Sequence, residues 1–95
     1  MTELLIRHKV GDYETFKKIF LEDEERRRAT GSKRARVLLN ADDPNDIWVV
    51  LDYDNAERAR QHAHTLELHE AIKWATSNVS MPEFVVLEND IVTDA

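Results

Sequence analysis

The stretch Asn40-Ala41-Asp42-Asp43-Pro44-Asn45-Asp46 decides the fold of this chain. It separates two apolar, strand-like runs, 35–39 and 47–53. Proline fixes φ, and Asp and Asn side chains bond back to nearby backbone, so the stretch carries turn chemistry. The centre of the chain therefore predicts a β-hairpin closed by a polar loop. A charged, helix-patterned segment flanks the hairpin on each side, and an extended run lies at each end. The order is strand–helix–strand–strand–helix–strand.

Working outward, the hairpin strands cover 33–40 and 47–53. In the second of these, Ile47, Val49, Leu51 and Tyr53 share one face and Trp48, Val50 and Asp52 the other. Upstream, a helix over 13–29 is capped by Asp12 and ended by Gly31. Tyr13, Phe16, Ile19 and Phe20 recur at helical spacing as its buried stripe. Beyond Phe20 the helix is charged, with acid four residues ahead of base at Glu22–Arg26, Asp23–Arg27 and Glu24–Arg28. The basic run Arg26, Arg27, Arg28 reads as a solvated face, with an anion site as the functional alternative. The first strand, 4–10, sets Leu4, Ile6, His8 and Val10 on one face and Leu5, Arg7 and Lys9 on the other. Downstream, Asp54 and Glu57 form a capping box for the second helix, which is expected to break near His64 and Thr65. Ala56, Ala59 and Ala63 line its first part and Leu68, Ala71, Ile72 and Ala75 its second. Pro82 leads into a last strand, 83–88, and 89–95 is a tail or an arm reaching a partner chain.

Right-handed crossovers place four such strands in the order 4-1-3-2 in an antiparallel sheet with both helices on one face, an α+β, ferredoxin-like βαββαβ domain. The helix-covered face must be apolar, which selects the Leu4-Ile6-His8-Val10 and Ile47-Val49-Leu51-Tyr53 sets. The opposite face carries Leu5, Trp48 and Val50, diluted by Arg7, Lys9 and Asp52; an ion pair of Arg7 or Lys9 with Asp52 is expected there. A face this apolar marks an interface. Two sheets packed face to face in a symmetric homodimer satisfy it.

Ninety-five residues make one domain, 1–95, with a modest core that dimerisation would reinforce. A net charge of −6 argues against nucleic acid as partner, because phosphate binding needs a basic face. With no cysteine there are no disulfides, thiolate metal sites or cysteine nucleophiles, which fits a reducing cytoplasm. No apolar run approaches the roughly 20 residues that span a bilayer. The first residues enter a strand directly, so no signal peptide is expected.

The motifs Arg7-His8-Lys9-Val10, Asp12-Tyr13, Phe16, Gly31-Ser32, Asp42-Asp43-Pro44-Asn45, Leu51-Asp52-Tyr53-Asp54 and the segment 65–71 together resemble the dimeric α/β-barrel superfamily, and within it the antibiotic-biosynthesis-monooxygenase-like proteins. The resemblance spans residues 5–87. It implies a dimeric α/β barrel with a ligand pocket in each subunit between sheet and helices. Proteins of that fold include cofactor-independent monooxygenases, lactone isomerases and polyketide cyclases, so the motifs carry the fold more than the reaction.

The residue pattern points to the same pocket. His8 lies in a face otherwise made of Leu, Ile and Val, either as a core-edge histidine or as a general acid or base. His62 flanks the inward Ala59 and Ala63 and is the second catalytic candidate; His64 and His69 read as a polar helix edge. His62-x-His64 is the wrong spacing for adjacent metal ligands on a helix, so no metal is expected. Phe16, Phe20, Leu68 and Ile72 would wall the pocket, and Tyr53 would bond a ligand at one end or simply pack in the core with a wet hydroxyl. Antiparallel pairing of the first and third strands puts His8 nearer Ile47 than Tyr53. The expected function is a cofactor-free monooxygenase-like or cyclase/isomerase-like enzyme acting on a hydrophobic aromatic or polyketide-like molecule. The alternatives are a non-catalytic small-molecule-binding protein and a purely structural dimerisation module.

Overall fold

The computed structural model describes residues 2–77 and 82–95; over 67–77 it describes the backbone alone. The elements run β1 (Thr2–Lys9), α1 (Tyr13–Glu22), α2 (Glu24–Ala29), β2 (Arg34–Asn40), β3 (Asp43–Tyr53), α3 (Ala56–Ser77) and β4 (Glu83–Glu88). The strands form one antiparallel sheet in the order β2-β3-β1-β4, the 4-1-3-2 arrangement of a ferredoxin-like α+β domain read from its other edge. Among the described residues, no helix is long and apolar enough to cross a membrane.

Strand parity decides what the sheet buries. Leu4 stands opposite Leu51 and Ile6 opposite Val49, so the two apolar sets share the helix-covered face. That face supplies the core: Leu4, Ile47, Val49, Leu51 and Tyr53 are buried together with Ala59 and Ala63 of α3. The two alanines are what let α3 lie close on the sheet. By contrast α1 buries none of its residues fully. Tyr13, Phe16 and Phe20 are packed against the core, while Ile19, expected in the stripe, is 47% exposed.

Several local expectations are corrected. The single helix over 13–29 is divided at Asp23, which ends α1 by donating its N–H to the carbonyls of Ile19 and Phe20 and then opens α2. The chain redirects there, and of the three expected ion pairs only Glu24–Arg28 forms, at 3.4 Å, beside a Glu25–Arg28 pair at 2.8 Å. Helix α3 runs unbroken through His64 and Thr65, because Thr65 bonds back to the Gln61 carbonyl at 3.1 Å instead of capping a new segment. Its cap is Asn55, whose Oδ1 accepts from the Arg58 N–H at 2.9 Å. Finally, the polar stretch mostly joins β3: Asn40 pairs with Asp43, so Ala41 and Asp42 alone form the hairpin turn.

The rest of that stretch acts as a clamp. The Asn45 carbonyl accepts from Val10 N–H at 2.8 Å and its Oδ1 from Tyr13 N–H at 3.2 Å, fixing the β1–α1 junction. Asp46 takes the charge expected at Asp52. Its carboxylate accepts from Arg7 at 3.3 and 3.1 Å and from Asn40 at 3.1 Å, and Lys9 pairs with Asp43 at 3.3 Å. The register explains the change, since Asp52 sits opposite Glu3 while Asp46 sits opposite Lys9. Arg7 in turn lies 4.8 Å from the Trp48 ring centre.

Candidate active site

Three elements converge on one imidazole. Tyr53 ends β3 with its side chain on the helix face and is fully buried. His62 lies one turn of α3 beyond the buried Ala59 and next to Ala63, so the helical period turns it toward the sheet, where it is 8% exposed. The Tyr53 hydroxyl is hydrogen-bonded to His62 Nδ1, with the two rings edge-to-face, centroids 5.6 Å apart and planes at 72°. The third member is Thr30, at the end of α2, whose Oγ1 is 3.3 Å from Nδ1 and 3.4 Å from Nε2.

Thr30 is held by the helix end it terminates. Gly31, at φ 102°, takes the left-handed position that stops α2. Its N–H donates to the Arg28 carbonyl and that of Ser32 to the Arg27 carbonyl, both at 3.1 Å. The Thr30 hydroxyl donates its only proton to the Arg27 carbonyl at 2.7 Å, so it offers the imidazole lone pairs alone. Hydrogen-bond bookkeeping then assigns the ring N–H to Nε2 and leaves Nδ1 to accept from Tyr53. Burial lowers the His62 pKa, and the positive charges of Arg26 and Arg27 lower it further. The site is a neutral imidazole, screened from water, holding a phenol by its basic nitrogen. Such a pair can accept or relay one proton.

The other candidates are distributed around the same layer. Phe16 and Phe20 stack at 5.6 Å and 29° on the half-buried side of α1, continuing from Tyr13, whose ring is 6.3 Å from Phe16. His8 is half-buried opposite Ile47 and has an interaction partner of its own. Tyr53 lies six residues along β3 from Ile47, on the order of 20 Å at ~3.3 Å per residue. His8 and His62 thus stand at opposite ends of the sheet, and joint action of the two on one proton, as the pattern had allowed, is not what the geometry brings together. The side chains of Leu68, Ile72 and His69 lie outside the described residues. His64 is exposed. Among the described residues, no group of His, Asp or Glu is gathered to hold a metal. Thr30 was missed in the sequence; a Thr before a helix-ending Gly signals a cap, not which helix it faces. Arg27 was read only as part of a charged face or an anion site, not as a charge acting on His62.

No protein-family model matches the chain, and no curated protein does. Solved structures that share its architecture include the following two. One is described as a "putative antibiotic biosynthesis monooxygenase" from Deinococcus radiodurans, with a TM-score of 0.68 at 12% identity over 99% of this chain and 96% of that one. The other, a protein of the same description from Nitrosomonas europaea, gives 0.64 at 22% identity over 94% of this chain and 98% of that one. At such identities the likeness establishes the fold.

Proposed function

We propose that this chain is a cofactor-free enzyme that moves a proton on a hydrophobic aromatic or polyketide-like molecule held between the sheet and the helices. The observation that carries the reading is the buried hydrogen bond from Tyr53 to the neutral His62. His62 is the base, Tyr53 the hydroxyl through which the proton reaches it, and the Phe16–Phe20 stack the wall against which a flat substrate lies. Removing a proton from an anthrone-like phenol tautomer leaves an electron-rich anion. That anion reacts with dioxygen so that overall a ring CH2 and O2 become the quinone C=O and water, the substrate giving up the four electrons that dioxygen accepts. Removing a proton beside a carbonyl would instead begin ring closure or double-bond migration. His8, at the far end of the layer, is a second candidate acid or base. Likeness of fold to the two solved structures supports the monooxygenase form of the reading.

The working unit in this proposal is a homodimer closed through the outer sheet face, forming a dimeric α/β barrel. On that face Leu38, Val85 and Leu87 are 51%, 45% and 42% exposed in the single chain. Arg36 Nε and Asp52 Oδ1 are buried there without hydrogen-bond partners, and a second sheet could supply them. Neither nucleic acid nor a membrane is a partner in this account. A cysteine-free chain suits the cytoplasm.

The test is turnover of a panel of anthrone, quinol and lactone substrates by the wild type and by His62→Gln, Tyr53→Phe and His8→Ala. Loss of turnover in the first two with its retention in the third supports the reading. Turnover unchanged in His62→Gln would overturn it. One observation favours a second reading, a binding protein without catalysis: Tyr53 is fully buried and His62 nearly so. That reading predicts thermal stabilisation by such ligands with no product formed.

A further inference from the structure

Residues 89–95 leave β4 and form neither helix nor strand, yet they carry two strongly exposed apolar side chains: Ile91 is 77% and Val92 84% exposed. Ile91, Val92 and Thr93 are β-branched, the composition of a strand, and Asp90 and Asp94 bracket them. What such a segment lacks is a sheet edge to pair with.

Among the described residues the sheet has two edges, β2 and β4. Charge separates them. β4 carries Glu83 and Glu88 and no cation, whereas β2 carries Arg34 and Arg36 and no carboxylate. An acidic segment is repelled by the first and drawn to the second. β2 also exposes Leu38 and Leu39, one on each face of the sheet. The same chain's residues 89–95 cannot serve this edge. The free side of β2 lies four strand spacings from β4, ~19 Å at ~4.8 Å each. Seven residues reach ~23 Å at ~3.3 Å each, which leaves about one residue to pair.

We infer that residues 89–95 are an arm that adds an antiparallel strand to β2 of a second copy, with Ile91 opposite Leu39, Val92 opposite Leu38 and Asp94 opposite Arg36. The inference rests on the homodimer proposed above and names a contact between copies outside its sheet face. When two sheets pack face to face with strands near right angles, a strand leaving one sheet at a corner bends into the other. A two-fold axis then sets the end of β4 of one copy at the Asn40 end of β2 of its partner, and the arm runs from there toward Arg34. The period of two sends Val92 and Asp94 to the outer face with Leu38 and Arg36, and Ile91 to the helix face with Leu39. Arg36 gains a second carboxylate. Among the described residues its own chain offers Glu3, at 3.6 Å, and leaves its Nε without a hydrogen bond.

The chain holds no cysteine, so a designed pair of thiols is read without background. Leu38→Cys combined with Val92→Cys sets a thiol on each side of the contact. Mild oxidation should join two chains into a product of twice 11.1 kDa on non-reducing electrophoresis. Gln61→Cys combined with Val92→Cys, with the first thiol on the exposed side of α3, is the control and should stay unjoined. Ile91→Asp combined with Val92→Asp alters exposed residues outside the core, so the circular dichroism should match the wild type. Sedimentation of that variant should show the dimer weakened about tenfold or more, because two aliphatic side chains no longer bury. A wild-type dimer with no 38–92 product beyond the control, or one that the two aspartates leave as tight as before, would overturn the arm and leave the sheet-face dimer standing. A wild type of single chains would overturn both.

Discussion

Tyr53 and His62 are joined, hydroxyl to Nδ1, across the seam between the end of β3 and the second turn of α3. Both residues are buried, so the bond satisfies two polar groups that have lost water. Tyr53→Phe keeps the ring and removes the donor, leaving a basic nitrogen unsatisfied inside the core. A loss of roughly 1–3 kcal/mol is expected from that uncompensated acceptor. Urea denaturation checks it; an unchanged midpoint would mean that water replaces the hydroxyl.

The same burial makes stability depend on pH in a defined direction. His62 binds its proton more weakly in the folded chain than at its ordinary value of 6.5, first because of burial and then because of Arg26 and Arg27. The unfolded chain therefore takes up the proton first. The contribution is complete above about pH 6.5 and is lost as pH falls from there through the folded pKa. Asp12, held low mainly by its bond from Thr15, and Asp46, held low mainly by Arg7, lose their contributions only in a more acidic window. Denaturation midpoints should thus fall between pH 7.5 and 5.5 in the wild type. Most of that fall should be absent in His62→Gln. Equal slopes for the two proteins would remove His62 as the source.

Gly31 ends α2 at φ 102°, and a Cβ built there would lie 2.7 Å from Arg58 Nη2 and 2.9 Å from its Nε. Both the backbone angle and the neighbour oppose a side chain. Gly31→Ala is expected to destabilise by about 1 kcal/mol or more, with the Arg58 side chain able to relieve part of the clash. Gly11 provides the internal comparison. Nothing lies within 4 Å of its Cβ position, and its φ is not in the left-handed range, so Gly11→Ala should be neutral or slightly stabilising. Thermal melts of the two variants decide the matter, and a shift at Gly11 as large as that at Gly31 would count against it.

What the sequence made legible follows from how local each signal is. Strand parity is set by a period of two, so Leu4, Ile6, Ile47, Val49, Leu51 and Tyr53 could be assigned to one face without coordinates, and with them the sheet order and the His8–Ile47 pairing. Helix interruptions are less legible: Asp23 divides α1 from α2 with no side-chain cap bond, while Thr65, which has capping chemistry, bonds back to Gln61 inside an unbroken helix. The Tyr53–His62–Thr30 contact was out of reach for a different reason. It depends on how far α2 leans toward α3, a packing angle that no periodicity encodes. The charge of the hairpin misled in the same way: Asp46 and Asp52 share a face, and only the register tells which of them meets Arg7.

The outer sheet face yields the last prediction. Val85 and Leu5 are cross-strand neighbours on it, as are Leu5 and Val50, so the three make an apolar row across β4, β1 and β3. Leu87 and Leu38 extend the apolar surface on either side and are 42% and 51% exposed. Val50 is already buried in the single chain, so it is the exposed Val85, Leu87 and Leu38 that leave apolar area in water, which a second copy of the sheet would recover at about 25 cal/mol for each Å² covered. Val85→Glu puts a charge at the edge of the row, on a residue already 45% exposed, and so should spare the monomer's own core. The wild type is expected to sediment at twice 11.1 kDa and Val85→Glu at 11.1 kDa, with matching circular dichroism. A wild type that sediments as single chains at working concentration would rule out the closed barrel. The apolar row would then be an ordinary exposed surface, and each chain would have to complete its own helix–sheet pocket.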